Sequence, residues 1–393
     1  MNTTTILPPE RRRQSDQPVI TVRGGFLRSF EHNVALIRGL GFQMQIKIFQ
    51  PLASHGRFSL TLLVENIRGD DIVIKHQGGE VRHVIRAKTS VMCEVTGSGF
   101  QTISLVSPAS QTDEFDFIFC GDIHGRFQNL QQILTSAAAL NPLFVLVNGD
   151  LTHSGRLAEY HILADILNKS HVPLFTSMGN HDKRARGGRA TYRRMLAPFY
   201  YSFGVRDCRF IVLDSSRKRG LQRFQYKWLE RELHLARHQR QRIFVVLHRP
   251  PVCPKYNYLS FSATSNIRRF LRLMEAFQVE MVFGSHIHVL TEFRARNVPY
   301  VVTGGGGGAL WQPSNVHHYL HVFVRKRGVE LQVIPLPTPE AKVSQRLKDA
   351  IKLNLEHHLA TNRRLKHAAT LGTTSLAHRT PAERKRPLWK RNH

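Results

Sequence analysis

From about Asp113 onward, apolar runs of strand length alternate with segments of helical periodicity. Continuous apolar runs are typical of strands buried on both faces, and their alternation with amphipathic helices predicts an α/β core with helices on its faces. In the predicted helix 221–238 one apolar stripe indicates core packing; it comprises Leu221, Phe224, Trp228, Leu229 and Leu233. The predicted strands are Phe115–Cys120, Leu143–Val147, Pro173–Ser177, Phe210–Leu213, Ile243–Leu247 and Met281–Phe283, and then 299–303, 318–324 and 329–335.

Residues 19–112 show a different pattern. Between about Phe42 and Ser107, apolar and polar residues alternate with a period of two, and glycine-containing turns interrupt the alternation. Short alternating runs predict an antiparallel sandwich or barrel. Residues 26–41 fit a helix or a strand equally well. Because no catalytic residue types cluster here, we interpret 19–112 as a β-rich accessory domain that precedes a catalytic domain at 113–337.

The two ends of the chain are polar and basic. Residues 1–18 include three consecutive arginines and predict a flexible arm. Residues 338–393 hold 13 Lys and Arg against 4 Asp and Glu, and apolar residues recur every four positions from Val343 to Leu359. This spacing predicts one amphipathic helix followed by a disordered tail. Such a helix either docks on the body of the protein or anchors it to an anionic membrane surface or nucleic acid.

Charge and cysteine content narrow the class of protein. The chain has 393 residues, with 56 Lys and Arg against 28 Asp and Glu, a formal net charge of +28. This balance favours anionic partners such as phosphate esters, nucleic acid or membrane surfaces. Four widely separated cysteines without a CxxC pair argue against a disulfide scaffold or a zinc ribbon. The first residues lack an apolar segment, so we expect no secretory signal and a cytoplasmic, soluble protein.

Five short polar motifs each follow a predicted strand. Because functional groups in α/β sheets collect at the carboxyl ends of strands, we expect these motifs to meet in one crevice. The motifs are Gly121-Asp122-Ile123-His124-Gly125, Asn148-Gly149-Asp150, Gly179-Asn180-His181-Asp182, Leu247-His248-Arg249-Pro250 and His286-Ile287-His288.

The side chains of these motifs suit divalent metals. Carboxylate, imidazole and amide oxygen together fit Mn²⁺, Fe²⁺/Fe³⁺ or Zn²⁺, and the lack of a thiolate argues against a structural zinc site. Asp122 and His124, like His286 and His288, are two residues apart, which in an extended chain places both side chains on one face. Seven candidate ligands exceed one ion's needs and suit two ions that share a bridging carboxylate.

The ordered set D-x-H, G-D, G-N-H-D, H and H-x-H resembles the calcineurin-like metallophosphoesterase superfamily over about Asp113 to Leu336. The resemblance implies a four-layer α/β/β/α sandwich with a dinuclear metal centre. One metal would be held by Asp122, His124, Asp150 and His288, and the other by the bridging Asp150 with Asn180, His248 and His286.

The resemblance also implies a reaction. A metal-bridged hydroxide would attack phosphorus in line, and the metals would neutralise the developing charge. His181 would protonate or stabilise the leaving oxygen, and Asp182 would either orient His181 or serve as a turn carboxylate.

Departures from the superfamily's better-known branches limit the assignment. The GDxVDRG and RGNHE motifs of the Ser/Thr protein phosphatases are absent. His153 stands where purple acid phosphatases carry a metal-binding Tyr, which disfavours a tyrosinate–iron site. His248-Arg249 replaces the His-His of many cyclic-nucleotide phosphodiesterases, and Ser285 replaces the usual Gly before H-x-H.

Two further segments bear on the site. The basic loop after His181, represented by Arg184 and Arg186, either binds the other oxygens of a phosphate substrate or is a solvated surface. The five-glycine run Gly304–Gly308 lacks the GK[ST] of a P-loop. We therefore expect it to pass close to the site, where side chains would clash.

The sequence thus predicts a metal-dependent phosphoric ester hydrolase with two divalent ions. Its expected substrate is a phosphoester, with a phosphodiester as the favoured kind. Two alternatives stay open. The net charge of +28 is also typical of a nuclease or another nucleic-acid-processing phosphodiesterase. The same fold could also serve as a non-catalytic metal-binding scaffold. Oligomeric state is not predicted.

Overall fold

The computed structural model describes residues 18–50, 57–311 and 316–337. Most of the predicted basic arm and all of the predicted C-terminal helix and tail lie outside these residues. The described part forms three sheets. The first contains β1 (Val19–Arg23), β2 (Gly25–Glu31), β3 (Val34–Gly39), β4 (Gln43–Phe49), β5 (Phe58–Glu65), β6 (Val73–Ala87) and β7 (Ser90–Val106).

The strand order of the first sheet is β1-β4-β7-β5-β3-β2, with β6 also paired to β7. Several of its strands bury alternate side chains. In β5 every second side chain is buried, as the period of two predicts. The ambiguous segment 26–41 forms strands β2 and β3. The expectation of an entirely antiparallel arrangement was wrong, because β3 and β5 pair in parallel. A connection through β4 lets the chain return to β5 in the direction of β3.

The second sheet has the order β10-β9-β8-β17-β18 and the third the order β11-β12-β13-β14-β16-β15. Their strands are β8 (Phe115–Cys120), β9 (Phe144–Asn148), β10 (Leu174–Ser177), β11 (Tyr201–Val205), β12 (Cys208–Leu213), β13 (Arg242–Leu247), β14 (Met281–Gly284), β15 (Leu290–Ala295), β16 (Val298–Thr303), β17 (His318–Arg325) and β18 (Gly328–Pro335). The helices are α1 (Phe127–Leu140), α2 (Leu157–Asn168), α3 (Gly188–Met195), α4 (Arg223–His238) and α5 (Thr264–Ala276). The prediction of a mixed α/β fold is confirmed.

Aromatic side chains join the second and third sheets. Phe117 of β8 stacks on Phe144 of β9 with ring centroids 4.7 Å apart, and meets Phe210 of β12 edge-on at 5.5 Å. On the opposite face of the third sheet, Leu229 and Leu233 of α4 pack with Phe270 of α5. The rings of Phe117, Phe144 and Phe210 are fully buried. Such aromatic pairs stabilise a core by ~1 kcal/mol in addition to the free energy of burying their apolar area.

Helix α4 differs from its prediction at its start. The helix begins at Arg223, so Leu221 precedes it. Phe224, which the predicted apolar stripe included, is exposed to solvent. The four cysteines are buried and free. Among the described residues, no helix is both long and apolar enough to span a membrane.

The first sheet is tied to the second through Asn66. The Asn66 amide donates to the carbonyls of Gly39 and Leu174, both at 2.8 Å, and its oxygen accepts from the Leu174 amide at 2.7 Å. Leu40 and Phe42 pack in the same core as the second sheet. These contacts place the first sheet against β10, at the edge of the second sheet.

Candidate metal centre

The candidate ligands follow the carboxyl ends of five strands. Asp122 comes after β8, Asp150 after β9, Asn180 after β10, His248 after β13 and His286 after β14. The two sheets face each other, so these ends open onto one crevice, as expected for parallel strands.

The backbone of the ligand loops is not extended. Asp122, His124, Asp150 and His286 all have left-handed φ angles, of 59°, 52°, 49° and 70°. The expectation that residues two apart share a face of an extended chain was therefore wrong. Their side chains converge because tight turns redirect them. Left-handed non-glycine residues are uncommon and concentrate at functional sites.

The first group of ligand atoms comprises Asp122, His124 and His288. Asp122 Oδ1 lies 3.6 Å from His124 Nε2 and 3.3 Å from His288 Nε2, and the two Nε2 atoms are 3.2 Å apart. Asp122 Oδ2 accepts from the backbone amide of His286 at 2.8 Å, which fixes the carboxylate. Three donor atoms therefore face one small volume.

The second group comprises Asp150, His248 and His286. Asp150 Oδ2 lies 3.3 Å from His248 Nε2 and 3.4 Å from His124 Nε2, so one oxygen faces both groups. Asp150 Oδ1 accepts from the backbone amide of His181 at 2.7 Å. A carboxylate oxygen between two groups of donors is suited to bridge two ions.

Hydrogen bonding leaves the inward atoms of this site free to bind a cation. Asp122 Oδ1, His248 Nε2 and His286 Nε2 are buried without a hydrogen-bond partner, which is costly unless another ligand compensates. His248 Nδ1 lies 3.1 Å from the Asn148 carbonyl, and His288 Nδ1 lies 2.7 Å from that of Ala309. Because a carbonyl only accepts, each Nδ1 donates, and in the neutral imidazole Nε2 keeps its lone pair. The residues fit divalent metal ions.

The buried charges compensate one another. Burial opposes ionisation of Asp122 and Asp150, but the charge of His248 and hydrogen bonds from neighbouring histidines together outweigh it and hold the pKa of both carboxylates low. Burial would lower the pKa of His248, but these carboxylates raise it to about 9. Burial and the charge of His248 lower the pKa of His286 to about 3. Without metal, protonated His248 offsets part of the charge of the two carboxylates.

Glycines allow the loops to approach this closely. A Cβ on Gly179 would lie far inside contact distance of Asp150, and one on Gly308 far inside that of His288. A Cβ on Gly304 would lie 2.9 Å from Asp122 Oδ2. The prediction that Gly304–Gly308 passes beside the site is confirmed.

His181 lies at the edge of the second group, with Nε2 3.9 Å from Asp150 Oδ2. Its Nδ1 is 2.8 Å from the carbonyl of His153, which therefore orients the ring. Burial lowers the pKa of His181, and the charges of His124 and Arg184 lower it further against that of Asp150.

Of the two roles that the sequence left open for Asp182, the structure shows the turn carboxylate and no contact with His181. The Asp182 carboxylate is fully buried and accepts from the Thr152 amide at 2.9 Å, the Thr152 hydroxyl at 3.0 Å and the Gly179 amide at 2.8 Å. It thus joins the loops after β9 and β10, as a turn carboxylate does. The side chain points into the protein while that of His181 points into the crevice. Burial and the charge of Asp150 raise the pKa of Asp182 to about 6.

The side-chain oxygen of Asn180 accepts a hydrogen bond from Arg249, a residue that sequence reasoning did not select. Arg249 Nη2 donates to Asn180 Oδ1 at 3.3 Å, and its Nη1 donates to the Leu259 carbonyl at 2.6 Å. The guanidinium is mostly buried and orients the Asn180 amide. The position of Arg249 next to His248 was the available signal. Arg184 and Arg186 are exposed on the surface of their loop, and their role in substrate binding stays a prediction.

Two more side chains lie at the site that sequence reasoning did not select as site residues, although it noted the position of His153. His153 lies with His124 and His181 in a third group of possible metal ligands. The Trp311 ring lies 5.8 Å from the His288 ring. Trp311 comes shortly after the glycine run, which was the only sequence signal for it.

Comparisons with known proteins agree with this geometry. Residues 115–290 match the family model described as calcineurin-like phosphoesterase. A probable cyclic nucleotide phosphodiesterase of Vesicomyosocius okutanii is 24% identical over 44% of this chain and 74% of its own length. A glycerophosphodiester phosphodiesterase of Enterobacter lignolyticus is 30% identical over 38% of this chain and 57% of its own length.

Among solved structures, a purple acid phosphatase from yellow lupin, Lupinus luteus, has a TM-score of 0.50 at 13% identity. The alignment covers 81% of this chain and 72% of the lupin protein, and shows that the fold is shared. The segment that carries the candidate ligands is therefore similar to the calcineurin-like phosphoesterases in sequence, and the chain shares the fold of a purple acid phosphatase.

Proposed function

We propose that the chain hydrolyses phosphodiester bonds at a centre of two divalent metal ions. The observation that carries the proposal is the set of buried, unpartnered atoms Asp122 Oδ1, His248 Nε2 and His286 Nε2 on either side of Asp150 Oδ2. The names of the cyclic-nucleotide and glycerophosphodiester relatives support a diester rather than a monoester.

Each side chain has a defined part in this proposal. Bound divalent ions would neutralise phosphoryl oxygens and activate the attacking water. The backbone amides of His286 and His181 hold the carboxylates of Asp122 and Asp150 in place. The Asn148 and Ala309 carbonyls fix the rings of His248 and His288. This preorganisation is the protein's own contribution to catalysis.

His181, in the form protonated on both ring nitrogens, is the proposed acid for the leaving oxygen. Its Nδ1 proton is engaged by the His153 carbonyl, so only Nε2 can exchange a proton with the substrate. An alkoxide leaving group needs this proton far more than p-nitrophenolate does. We therefore expect His181→Ala to reduce turnover of an alkyl phosphodiester at least ~100-fold and that of a p-nitrophenyl diester much less. Equal losses on both esters would remove His181 from this role.

The metal centre is tested with bis-p-nitrophenyl phosphate and Mn²⁺. Asp150→Ala and His248→Ala should each reduce kcat/KM at least ~1,000-fold and lower the metal content measured by elemental analysis. His161→Ala on α2, an exposed histidine, is the matched control and should behave as wild type. Unchanged turnover in both site variants would reject the proposal.

The same preparation distinguishes the alternatives. Faster turnover of p-nitrophenyl phosphate than of the diester would assign a monoesterase. Two bound metals without turnover of any phosphoester would indicate a scaffold. Cleavage of a 30-mer oligonucleotide, lost in Asp150→Ala, would assign a nuclease, whose binding should weaken steeply with salt.

A further inference from the structure

A cleft of about 600 Å³ lies between the segment that follows His181 and the segment that follows β12. Its cationic lining consists of Lys183, Arg189, Arg217, Lys218 and Arg219, and none of the described residues that line it is acidic. Lys183 and Arg189 come from the loop and helix after His181, and the other three follow β12. The segments that follow β10 and β12 therefore supply the positive charge of this cleft.

Hydrogen bonds connect this cleft to the metal centre. Lys183 Nζ donates to the Ser216 hydroxyl at 3.0 Å. The neighbouring Ser215 hydroxyl accepts from the backbone amide of Arg249 at 2.7 Å. Arg249 in turn reaches Asn180. The loops that line the cleft are thus hydrogen-bonded to the loops that carry the candidate ligands.

Most of the positive charge in the cleft is uncompensated. Arg189 is paired with Asp214, outside the lining, at 2.8 Å. Arg217 Nε and Nη2 lie 2.6 and 2.9 Å from the side-chain amide of Gln222, which is neutral. Within the described part of the chain, Lys218 and Arg219 form no ion pair, and both are exposed. A concave surface with several free cations attracts anions, and guanidinium groups bind phosphate oxygens in pairs.

We propose that this cleft binds a second phosphate group of the substrate, carried on the same molecule as the scissile ester. The inference rests on the proposed function and narrows its substrate class to esters that bear a further phosphate or a short phosphate chain. The volume lies within the range of small-ligand pockets and exceeds that of one phosphate ion. Lys183 and Arg189 would hold the end nearer the metals, and Lys218 and Arg219 the outer end.

Calorimetry with inorganic tripolyphosphate tests the cleft without catalysis. The full-length protein is stripped of metal with a chelator, which is then removed, so that the probe cannot bind through bound ions. The variant is Lys218→Glu/Arg219→Glu. The matched control, Lys227→Glu/Arg231→Glu, places the same charge change at exposed positions of α4.

We expect tripolyphosphate to bind the wild type and the control within about twofold of each other, and the cleft variant at least ~10-fold more weakly. Undetectable binding to the wild type at low salt, or equal weakening in both variants, would overturn the proposal. Preferential loss of 30-mer oligonucleotide binding in the cleft variant would assign the cleft to nucleic acid instead. A wild type that binds tripolyphosphate but hydrolyses no phosphodiester rejects the proposed function and leaves the anion site standing.

Discussion

Gly179 offers a sharp test of how closely the loops of the metal centre must approach. An alanine Cβ at this position would meet the backbone nitrogen and Oδ1 of Asp150, short of the 3.4 Å of ordinary contact by more than 1 Å. Neither atom can yield easily, because Oδ1 accepts from the His181 amide and the nitrogen is backbone. Gly179→Ala must therefore displace Asp150 by about 1 Å. Misplacement of a reacting group by that distance costs roughly 100-fold in rate.

The expected result for Gly179→Ala is a fall in kcat/KM of at least ~100-fold, or ~2.7 kcal/mol of transition-state stabilisation. The assay is bis-p-nitrophenyl phosphate hydrolysis with saturating Mn²⁺. Overpacking should also lower the unfolding free energy by ~1–3 kcal/mol, as measured by urea denaturation. Gly204→Ala is the control, because a Cβ there meets its nearest atom at 3.8 Å. A folded Gly179→Ala protein with kcat/KM within threefold of wild type would refute the reasoning.

Three further predictions concern protons and domain contacts. Because the pKa of His248 is about 9 without metal, we expect Mn²⁺ binding at pH 7 to release about one proton. Calorimetry in buffers of different ionisation enthalpy measures this proton release. A binding enthalpy that does not depend on the buffer would contradict the prediction. Burial raises the pKa of Asp182 from 3.8 to about 6, so the folded state holds an extra proton between these values and metal-free stability should fall by up to ~3 kcal/mol as pH rises through them. Asp182→Asn should lack that loss in urea titrations, and a parallel pH profile would refute it. Asn66→Ala leaves three buried backbone groups unpaired and should lower the unfolding free energy by ~2–4 kcal/mol at unchanged kcat; a loss below ~0.5 kcal/mol would show that Asn66 does not hold the first sheet.

The sequence allowed the strands and the motifs to be predicted because both are local patterns. Apolar runs such as Phe115–Cys120 form strands where predicted, and Asp122 and His286 lie just beyond their ends. The conformation of the ligand loops could not be predicted. A left-handed φ at Asp122 depends on hydrogen bonds to distant loops, such as that between the Asp122 amide and the Gly149 carbonyl at 3.1 Å.

Adjacency in sequence could not decide between the two roles of Asp182. Residues next to each other in a turn point in different directions, so Asp182 enters the protein while His181 enters the crevice. The residue that orients His181 is His153, 28 positions earlier, through a backbone carbonyl that carries no sequence signature. Arg249 was overlooked for a similar reason, since its partner Asn180 is 69 residues away. Only the juxtaposition of strand ends brings such pairs together.

The metal-free site explains why so many polar groups can be buried at one place. Two carboxylates, Asp122 and Asp150, are held ionised by neighbouring imidazoles and backbone amides. In the absence of ions, protonated His248 offsets part of this negative charge, and its Nε2 lies 3.3 Å from Asp150 Oδ2. A bound divalent ion would take over that electrostatic role and free the His248 lone pair for ligation. The folded protein is therefore prepared for cations by its own charge balance, and metal binding exchanges a proton for an ion rather than rebuilding the loops.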